Sequence, residues 1–323
     1  MNLPKISISQ RTTEPLFKAE RPHEDFCINV FNVLRVNEQW HMWYTSYDHT
    51  YKGDADSFFC YACSNDGVHW ERPDLGLVEY NGNRRNNILI AGRGRGFLGP
   101  TVFHEEMAPL AERFKMVCAK AVEEYGFLVF GGTSTDGLQW KLGDNPLLLK
   151  NSDTQTVCFR DGDLYRLYVR MWSDSLFKGT RIIGYSESKR FGEFSDPVVI
   201  MGPDAEDPAD LQFYGTGTSK LAEDLYIMFP QGYYTGTDHV RCHVALSRDG
   251  KNFQRVGRQP LIDLGTGFDR NCVYVAPGVF PAEAPGSYWV YYLGTAINHD
   301  ENWPAKAKYS GGIGRFLLTV AVK

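Results

Sequence analysis

One short motif recurs along this chain and constrains its fold more than any other feature. Residues 64–70 and 134–140 match S-x-D-G-x-x-W in full, and residues 247–253 keep the pattern with Phe253 in place of Trp. A weaker copy at 186–191 lacks the Asp-Gly pair. Asp before Gly favours a tight turn, because Asp bonds its own backbone and Gly adopts positive φ without steric cost. The following aromatic residue is expected to fold back onto the hairpin and join its two strands.

The recurrence of this turn predicts a ring or stack of like units, because the copies stand roughly fifty to seventy residues apart. A segment rich in aromatic and aliphatic residues, typical of a β-strand, also recurs five times, at 40–44, 114–118, 165–169, 225–229 and 288–292. Another short strand precedes each copy, often with a turn signal between them such as Asp161-Gly162-Asp163. The pattern therefore predicts four antiparallel strands in each unit.

Five such units predict an all-β protein, a five-bladed β-propeller of four-stranded antiparallel blades in one domain over residues 1–323. The fifth unit supplies only three strands, the last at 313–320, and the alternation Ile6-Ser7-Ile8-Ser9 supplies the fourth. Strands from the two termini would thereby close the ring. A pair of β-sandwiches is the alternative, although sandwiches do not require such regular recurrence.

Composition agrees with this prediction and narrows the partners. The 18 Tyr, 20 Phe, 7 Trp and 32 Gly favour short strands and tight turns, and the one stretch with moderate helix propensity, 105–113, contains Pro109. A formal net charge of −5 without a basic stripe disfavours nucleic acid and anionic membranes as partners. The chain as given has no spanning apolar run and no signal-peptide core, which predicts a cytoplasmic protein, or a periplasmic or secreted one if a signal peptide was removed. The oligomeric state stays open.

The seven cysteines lie in apolar, strand-like segments and are expected to be structural. Cys60 and Cys63 have the C-x-x-C spacing of redox or zinc sites, but no second pair follows. Residues three apart in a strand point to opposite faces, so the two thiols are not expected to meet.

Carboxylates cluster where the first strand of each predicted unit begins. In a propeller these strands line the central channel, so residues distant in sequence converge on one mouth. Crowded carboxylates separate their pKa values, which allows one to act as an acid and another as a base, the pair that glycoside cleavage requires. Asp residues near strand starts are also ordinary turn residues. The candidates are Glu24, Asp25, Asp153, Glu206, Asp207, Asp210 and Asp269.

Arginine and aromatic residues complete the candidate site. Arg170, Arg181 and Arg270 could bind a carboxylate, a phosphate or sugar hydroxyls through the guanidinium fork. Aromatic faces stack on sugar rings, and the candidates for that role are Trp172, Phe213, Tyr214, Tyr233, Tyr234 and Trp303. No cofactor is expected to be required, although channel carboxylates offer the oxygen ligands that calcium takes.

Residues 60–76, followed by Asn86-Asn87-Ile88-Leu89, resemble the first blade of a large group of glycosidase-like five-bladed propellers, and residues 182–188 and 226–230 resemble its later blades. The architecture is similar to that of glycoside hydrolase families 32, 43, 117 and 130. The resemblance implies a small carbohydrate substrate bound at the channel mouth. It also implies catalytic roles for Asp25 as nucleophile or base, Asp153 as transition-state stabiliser or pKa modulator, and Glu206 as acid. Glu24, Asp207, Asp210 and Asp269 are alternatives for these roles.

The leading hypothesis is a glycoside hydrolase that cleaves a terminal sugar from an oligosaccharide. A glycoside phosphorylase of similar fold needs only one acid and a phosphate pocket of Arg, Lys or His. A propeller that binds glycan or protein without chemistry is the third hypothesis.

Overall fold

The computed structural model describes residues 4–50, 52–53, 56–92, 97–152, 156–174, 177–301 and 311–321. Strands dominate this part of the chain, which also contains the single 3₁₀ turns Pro22–Glu24 and Leu110–Glu112. Neither has the length or apolar character that crossing a membrane demands. The all-β prediction is confirmed, and the stretch around Pro109 forms no more than a helical turn.

Three units form separate four-stranded antiparallel sheets whose strands pair in chain order. Unit 1 contains β2 (Cys27–Val36), β3 (Gln39–Tyr47), β4 (Phe58–Ser64) and β5 (Ile88–Ala91). Unit 2 contains β6 (Phe97–His104), β7 (Phe114–Val122), β8 (Gly126–Ser134) and β9 (Lys141–Asn151). Unit 3 contains β10 (Val157–Asp161), β11 (Leu164–Trp172), β12 (Arg181–Ser188) and β13 (Val198–Met201).

The remaining strands join into one ten-stranded sheet, whereas the sequence predicts two separate units. Unit 4 contains β14 (Leu211–Ala222), β15 (Leu225–Tyr234), β17 (Ala245–Ser247) and β18 (Gln254–Arg255). Unit 5 contains β19 (Cys272–Val275), β20 (Phe280–Pro281), β21 (Ser287–Thr295), β22 (Gly312–Ala321) and the N-terminal β1 (Lys5–Ser9). The additional strand β16 (His239–Cys242) joins the two units, because it pairs antiparallel with β15 and meets β19 in parallel at Val240 and Cys272.

The two ends of the chain meet in unit 5. β1 pairs antiparallel with β22, with Ile6 opposite Val320 and Ile8 opposite Leu318. The alternating segment at the N-terminus therefore forms the outer strand beside the C-terminal strand, in the place that its pattern predicts.

The hydrophobic cores lie between consecutive units, so each sheet is covered on both faces. This explains the near-continuous apolar runs in the strands, which one-sided sheets do not need. A fifth core combines the last unit with the first. Representative pairs across these cores are Trp43 with Met116, Val129 with Leu167, Tyr168 with Met228, Phe229 with Phe316, and Met42 with Leu293.

The recurrent turn has the same hydrogen-bond pattern in the three copies that contain Asp-Gly. In the first copy, Asp66 Oδ1 accepts from the backbone N–H groups of Val68 and His69 at 2.8 Å each. Ser64 Oγ accepts from the N–H of Gly67 at 2.9 Å. Equivalent bonds surround Asp136 and Asp249. The turn glycines have φ between +71° and +75°, a left-handed conformation that favours glycine.

These turns also connect neighbouring units, which the sequence did not predict. Trp43 Nε1 of unit 1 donates to the carbonyl of Gly137 in unit 2 at 2.7 Å. The hydroxyl of Tyr168 in unit 3 donates to Gly250 in unit 4 at 2.8 Å, and that of Tyr291 in unit 5 donates to Gly67 in unit 1 at 2.7 Å. We call each of these bonds an inter-unit staple. The motif therefore fastens one sheet to the next as well as closing its own hairpin.

The cysteines are structural, as predicted. All seven are free, and six of them are buried. Cys60 belongs to the core between units 5 and 1, whereas Cys63 packs against the core between units 1 and 2. Burial raises the pKa of both thiols, so neither is an activated thiolate at neutral pH.

Candidate active site at the mouth of the central channel

The first strands of the units surround a common cavity of about 480 Å³. Its lining comes from β2, β6, β10, β14 and the segment that follows β19, including Asn32, Thr101, Cys158, Thr218 and Gly278. In β2, β6 and β14 these residues lie in the later part of the strand. The strand starts therefore lie at the other end of the same axis, which we call the mouth. The Asp-Gly turns lie at the end opposite the mouth, because each follows a strand that runs parallel to the first.

Three of the first strands are irregular close to the mouth. The pairing register shifts between Asn29 and Phe31 in β2, between Leu98 and Thr101 in β6, and between Phe213 and Thr216 in β14. Such bulges re-aim side chains and occur often beside active sites. The bulge in β14 contains Tyr214.

Tyr214 lies at the centre of a group of cations and aromatic rings drawn from units 3, 4 and 5. Arg170 stacks on the Tyr214 ring with its guanidinium carbon 4.1 Å from the ring centroid, and His299 meets the same ring edge-on at 4.3 Å. We call this group the Tyr214 cluster. Its members are Arg170, Trp172, Arg181, Tyr214, Tyr233, Tyr274 and His299. Sequence reasoning named most of these residues separately but could not place them together.

Arg181 is held at the start of β12 among three aromatic rings. Its guanidinium carbon lies 4.5 Å from the Trp172 ring, 5.2 Å from the Tyr233 ring and 5.6 Å from the Tyr214 ring. Trp172 is its cross-strand neighbour in the β11–β12 ladder. Nη1 of Arg181 donates to Gln212 Oε1 at 2.8 Å, whereas Nε is shielded from solvent without a hydrogen-bond partner.

His299 lies in the loop after β21 and is one residue that sequence reasoning missed. Its Nδ1 shares a 2.7 Å hydrogen bond with the Tyr274 hydroxyl, and its side chain is only 11% exposed. Burial lowers the pKa of His299 to about 4, and the charges of Arg170 and Arg181 act in the same direction against those of Asp300 and Asp238. The imidazole is therefore neutral at pH 7, so one ring nitrogen donates a hydrogen bond and the other accepts one.

Two further carboxylates, Asp238 and Asp300, flank this loop and were also missed. The Tyr233 hydroxyl donates to Asp238 Oδ1 at 3.0 Å and to Asp300 Oδ2 at 2.9 Å. The backbone N–H of Asp300 donates to the Asp238 carboxylate, which ties the loop after β21 to the β15–β16 turn. The side chain of Asp300 remains 65% exposed. No sequence signal marks either residue, because both lie in loops outside the strand starts.

Asp25 lies at the start of unit 1, as predicted, and is accessible. Its side chain is 43% exposed, and its Oδ2 lies 2.9 Å from His49 Nδ1. Its Oδ1 accepts from the backbone N–H of His49 at 2.7 Å. His49 thus orients the Asp25 carboxylate, which remains accessible to solvent.

The neighbouring Glu24 is fully buried, which favours a structural role and not the predicted contact with substrate. It accepts hydrogen bonds from Arg72 Nε at 2.8 Å, from the Tyr44 hydroxyl and from the backbone N–H of Glu20. Burial alone would raise the pKa of Glu24, but the charge of Arg72 and the hydrogen bonds from Arg72, Tyr44 and Glu20 together lower it. Glu24 therefore holds the 3₁₀ turn that immediately precedes Asp25.

Glu206 and Asp207 lie in a loop that is fastened to the outer strand of unit 4. Glu206 pairs with Arg258 at 2.8 Å and its side chain is 76% exposed. Asp207 is almost fully buried and accepts from both terminal nitrogens of Arg255, at 2.8 Å and 2.7 Å. Burial by itself would raise the pKa of Asp207, but these hydrogen bonds contribute to lowering it to about 2. The structure places Asp207 as a loop anchor and does not bring Glu206 into the Tyr214 cluster.

The remaining predicted residues are likewise either exposed or held in structural hydrogen bonds and ion pairs, where the structure describes them. Asp210 Oδ2 accepts from the backbone N–H of Gly236 at 3.1 Å and so caps a turn. Asp269 is buried and pairs with Arg11 and the Tyr292 hydroxyl, which favours a structural role over contact with substrate. Arg270 is exposed. Asp153 and Trp303 lie outside the described residues.

The described residues include no group of three or more His, Cys, Asp or Glu side chains arranged to hold a metal ion. The described part of the mouth contains carboxylates, tyrosine hydroxyls, a neutral imidazole and two guanidinium groups beside aromatic rings.

Neither the family models nor the curated proteins compared with this sequence match it. Several solved structures are similar over almost the whole chain. An N-acetylgalactosamine deacetylase from F. plautii, in complex with blood group B trisaccharide, has a TM-score of 0.70 and 14% identity, covering 97% of this chain and 96% of that one. The catalytic domain of the Coprinopsis cinerea GH62 α-L-arabinofuranosidase has a TM-score of 0.63 and 11% identity, covering 99% of each chain.

A GH43_1 enzyme from Xanthomonas citri, complexed with xylotriose, has a TM-score of 0.61 and 10% identity, covering 96% of this chain and 90% of that one. Similar structures also include members of GH130 and GH32. At these identities the likeness concerns the fold. This chain has the fold of the glycosidase-like β-propellers.

Proposed function

We propose that this protein is a glycoside hydrolase that removes a terminal sugar from an oligosaccharide at the mouth of its channel. The observation that carries the proposal is the composition of that mouth, where the accessible carboxylate of Asp300 adjoins Tyr233 and His299, and the accessible carboxylate of Asp25 lies at the start of unit 1. Aromatic faces bind the apolar side of a sugar ring, and a pair of carboxylates supplies the acid and the base or nucleophile. Carbohydrate ligands in similarly folded proteins support the same assignment.

The proposed architecture is a single domain of five blades in a closed ring. The five inter-unit cores and the pairing of β1 with β22 support this arrangement. A ring brings the five strand starts to one mouth, so residues as distant in sequence as Asp25 and Asp300 can act on one substrate.

Asp25 is the proposed base or nucleophile, because it is oriented by His49 and accessible. Asp153 is retained as the stabiliser and Glu206 as the acid that the resemblance implies. Asp300 competes with Glu206 for the role of acid, because it is exposed and adjoins the Tyr214 cluster through His299. A retaining mechanism requires a close pair of carboxylates and an inverting one a wider pair.

The test is hydrolysis of a panel of aryl glycosides by Asp25→Asn, Glu206→Gln and Asp300→Asn, with Asp163→Asn as the control. Asp163 lies in the turn between β10 and β11, at the opposite end, and its side chain is 99% exposed. Loss of a catalytic carboxylate should lower kcat by a factor of about 100 or more. The control should keep the parent rate. Full activity of both Asp25→Asn and Asp300→Asn would remove these residues from the mechanism, and an inactive Glu206→Gln would then identify the acid.

A glycoside phosphorylase is the second candidate, and the guanidinium of Arg181 beside Tyr214 favours it. Arg side chains bind phosphate well. Turnover that requires inorganic phosphate and releases a sugar phosphate would establish it, and turnover that is independent of phosphate would exclude it.

A further inference from the structure

Arg181 makes fewer hydrogen bonds and ion pairs than a half-buried cation normally does. Among the described residues its guanidinium has one hydrogen-bond partner, the neutral side-chain amide of Gln212. No carboxylate of the described chain lies within ion-pair distance of it, although Arg166, Arg255 and Arg72 each have one. A buried donor without an acceptor is unfavourable, so the site is more stable when an acceptor binds.

The single bond to Gln212 also defines which edge of the guanidinium is unused. Gln212 occupies Nη1, whereas Nε and Nη2 have no partner among the described residues. These two nitrogens lie on one edge of the guanidinium plane and point in parallel. That edge matches the two oxygens of a carboxylate in bidentate geometry.

The surroundings of Arg181 indicate what carries the carboxylate. The indole of Trp172 lies beside the guanidinium and remains partly exposed, so it offers an apolar surface to a ring attached to the anion. Tyr214 and Tyr233 complete an aromatic surround. An acidic sugar has both features, a carboxylate and an apolar ring face.

The nearby negative charges favour a single negative charge on the ligand. Asp238 and Asp300 both bind the Tyr233 hydroxyl, and the Tyr233 ring lies 5.2 Å from the Arg181 guanidinium. Like charges repel, so a phosphate dianion is opposed more strongly here than a carboxylate monoanion. Arg170 stacks on the Tyr214 ring as the second guanidinium group of the cluster.

We propose that Arg181 and Trp172 form a subsite that binds the carboxylate of a uronic acid residue, so the substrate is an acidic rather than a neutral oligosaccharide. This inference rests on the proposed carbohydrate function and specifies its substrate class. Arg181 selects the anion through its free edge, and Trp172 binds the ring of the same sugar.

The test measures binding of methyl glucuronides and methyl galacturonides by calorimetry at constant ionic strength. The matched neutral ligands are methyl glucosides and galactosides, and inorganic phosphate is a third probe. The parent protein should bind at least one uronide about 10-fold or more tightly than its neutral counterpart. Arg181→Gln should abolish that preference, and Arg181→Lys should retain only part of it because lysine lacks the fork. Trp172→Ala should weaken acidic and neutral sugars alike.

Arg190→Gln is the control, because Arg190 is exposed, pairs with Glu193 and lies at the opposite end of unit 3. It should leave every affinity unchanged. Equal binding of acidic and neutral sugars by the parent would overturn the inference, as would tighter binding of phosphate than of any uronide. A preference for uronides that survives in a folded Arg181→Gln would also overturn it.

The same experiment separates this inference from the proposed function. Hydrolysis of neutral aryl glycosides without any preference for acids would reject the subsite alone. Binding of a uronide without hydrolysis of its aryl glycoside would support the subsite and reject the catalytic assignment. Neither binding nor hydrolysis of any sugar in the panel would reject both.

Discussion

The five interfaces between consecutive units are built in two different ways. Three of them contain an inter-unit staple, in which an aromatic side chain of one unit donates to the turn glycine of the next, at units 1 to 2, 3 to 4 and 5 to 1. No such bond occurs at units 2 to 3 or 4 to 5 in the described part of the chain. All five interfaces nevertheless have an apolar core.

The two interfaces without a staple are joined by other contacts. Between units 2 and 3, Glu105 accepts from the Tyr165 hydroxyl at 2.8 Å and pairs with Lys115 at 2.9 Å. Between units 4 and 5, β16 merges the two sheets, and Gln231 donates to the carbonyl of Val275 at 3.3 Å. One interface thus depends on a buried charge and the other on backbone pairing.

Whether an interface contains a staple correlates with the residue at one position of the recurrent aromatic segment. The fourth residue of the recurrent aromatic segment is Trp43, Tyr168 or Tyr291 where the next unit has an Asp-Gly turn. It is Val117 or Met228 where the next unit has none. A buried donor without an acceptor is costly, so an apolar residue suits an interface that offers no carbonyl. An aromatic donor in one unit therefore occurs together with an Asp-Gly turn in the next unit.

The largest expected effect on the free energy of unfolding comes from adding a methyl group at the turn glycine of a staple. Gly137→Ala places a methyl group 2.7 Å from the Trp43 ring at a φ of +75°. Left-handed backbone costs about 1–2 kcal/mol and overpacking about 1–3 kcal/mol, so we expect a loss of about 2–5 kcal/mol in the free energy of unfolding. Urea denaturation measures it.

Gly162→Ala is the matched control for that variant. Gly162 also has positive φ, +56°, but nothing lies within 4 Å of an added methyl group. It should lose only the backbone contribution of about 1–2 kcal/mol. Equal losses in the two variants would mean that the contact with Trp43 adds nothing.

A smaller effect should follow from removing one donor. Tyr168→Phe deletes the hydroxyl that binds Gly250 and leaves a buried carbonyl without that bond, which should cost about 1–2 kcal/mol. Tyr288→Phe is the comparison, because the Tyr288 hydroxyl makes no hydrogen bond with the described residues. Urea midpoints that fall equally in both variants would contradict a specific role for the staple.

The smallest effect concerns the acid sensitivity of the turn itself. Burial by itself would raise the pKa of Asp249, but hydrogen bonds from the backbone N–H groups of Asn252 and Lys251 help to lower it. A carboxylate with a lowered folded-state pKa stabilises the protein above its unfolded pKa, near 4, and this stability is lost as the pH falls below that value. The contribution should be small because the side chain is exposed to solvent.

Asp249→Asn should therefore show a shallower fall in urea midpoint between pH 5 and pH 2.5 than the parent. Asp163→Asn, with a side chain 99% exposed in the parent, should keep the parent slope. Parallel curves for the parent and Asp249→Asn would show that the turn carboxylate does not contribute to acid sensitivity.

Much of the fold could be predicted because its signals are local. The Asp-Gly turns, the alternation at Ile6-Ser7-Ile8-Ser9 and the five aromatic segments each report on a few adjacent residues, and the strands lie where these patterns place them. The merging of units 4 and 5 could not be predicted. It depends on β16, four residues that meet β19 across a distance in sequence that no local pattern encodes.

Less of the candidate site could be predicted. Asp25 and Tyr214 lie near the mouth, as strand-start reasoning expects. Glu24 and Asp207 have the same residue types at the same kind of position, but they are buried in ion pairs with Arg72 and Arg255. A carboxylate in a sequence does not report whether a guanidinium will cover it.

The sequence by itself determined the repeating unit, the strand content and the positions of the turns, because these follow from backbone preferences and the alternation of apolar residues. Only the tertiary structure decided what the Asp-Gly turn does beyond its own hairpin, since Trp43 and Gly137 are 94 residues apart when they bond. It also decided the Tyr214 cluster, where side chains from three units acquire their charge and exposure from neighbours that are distant in the sequence.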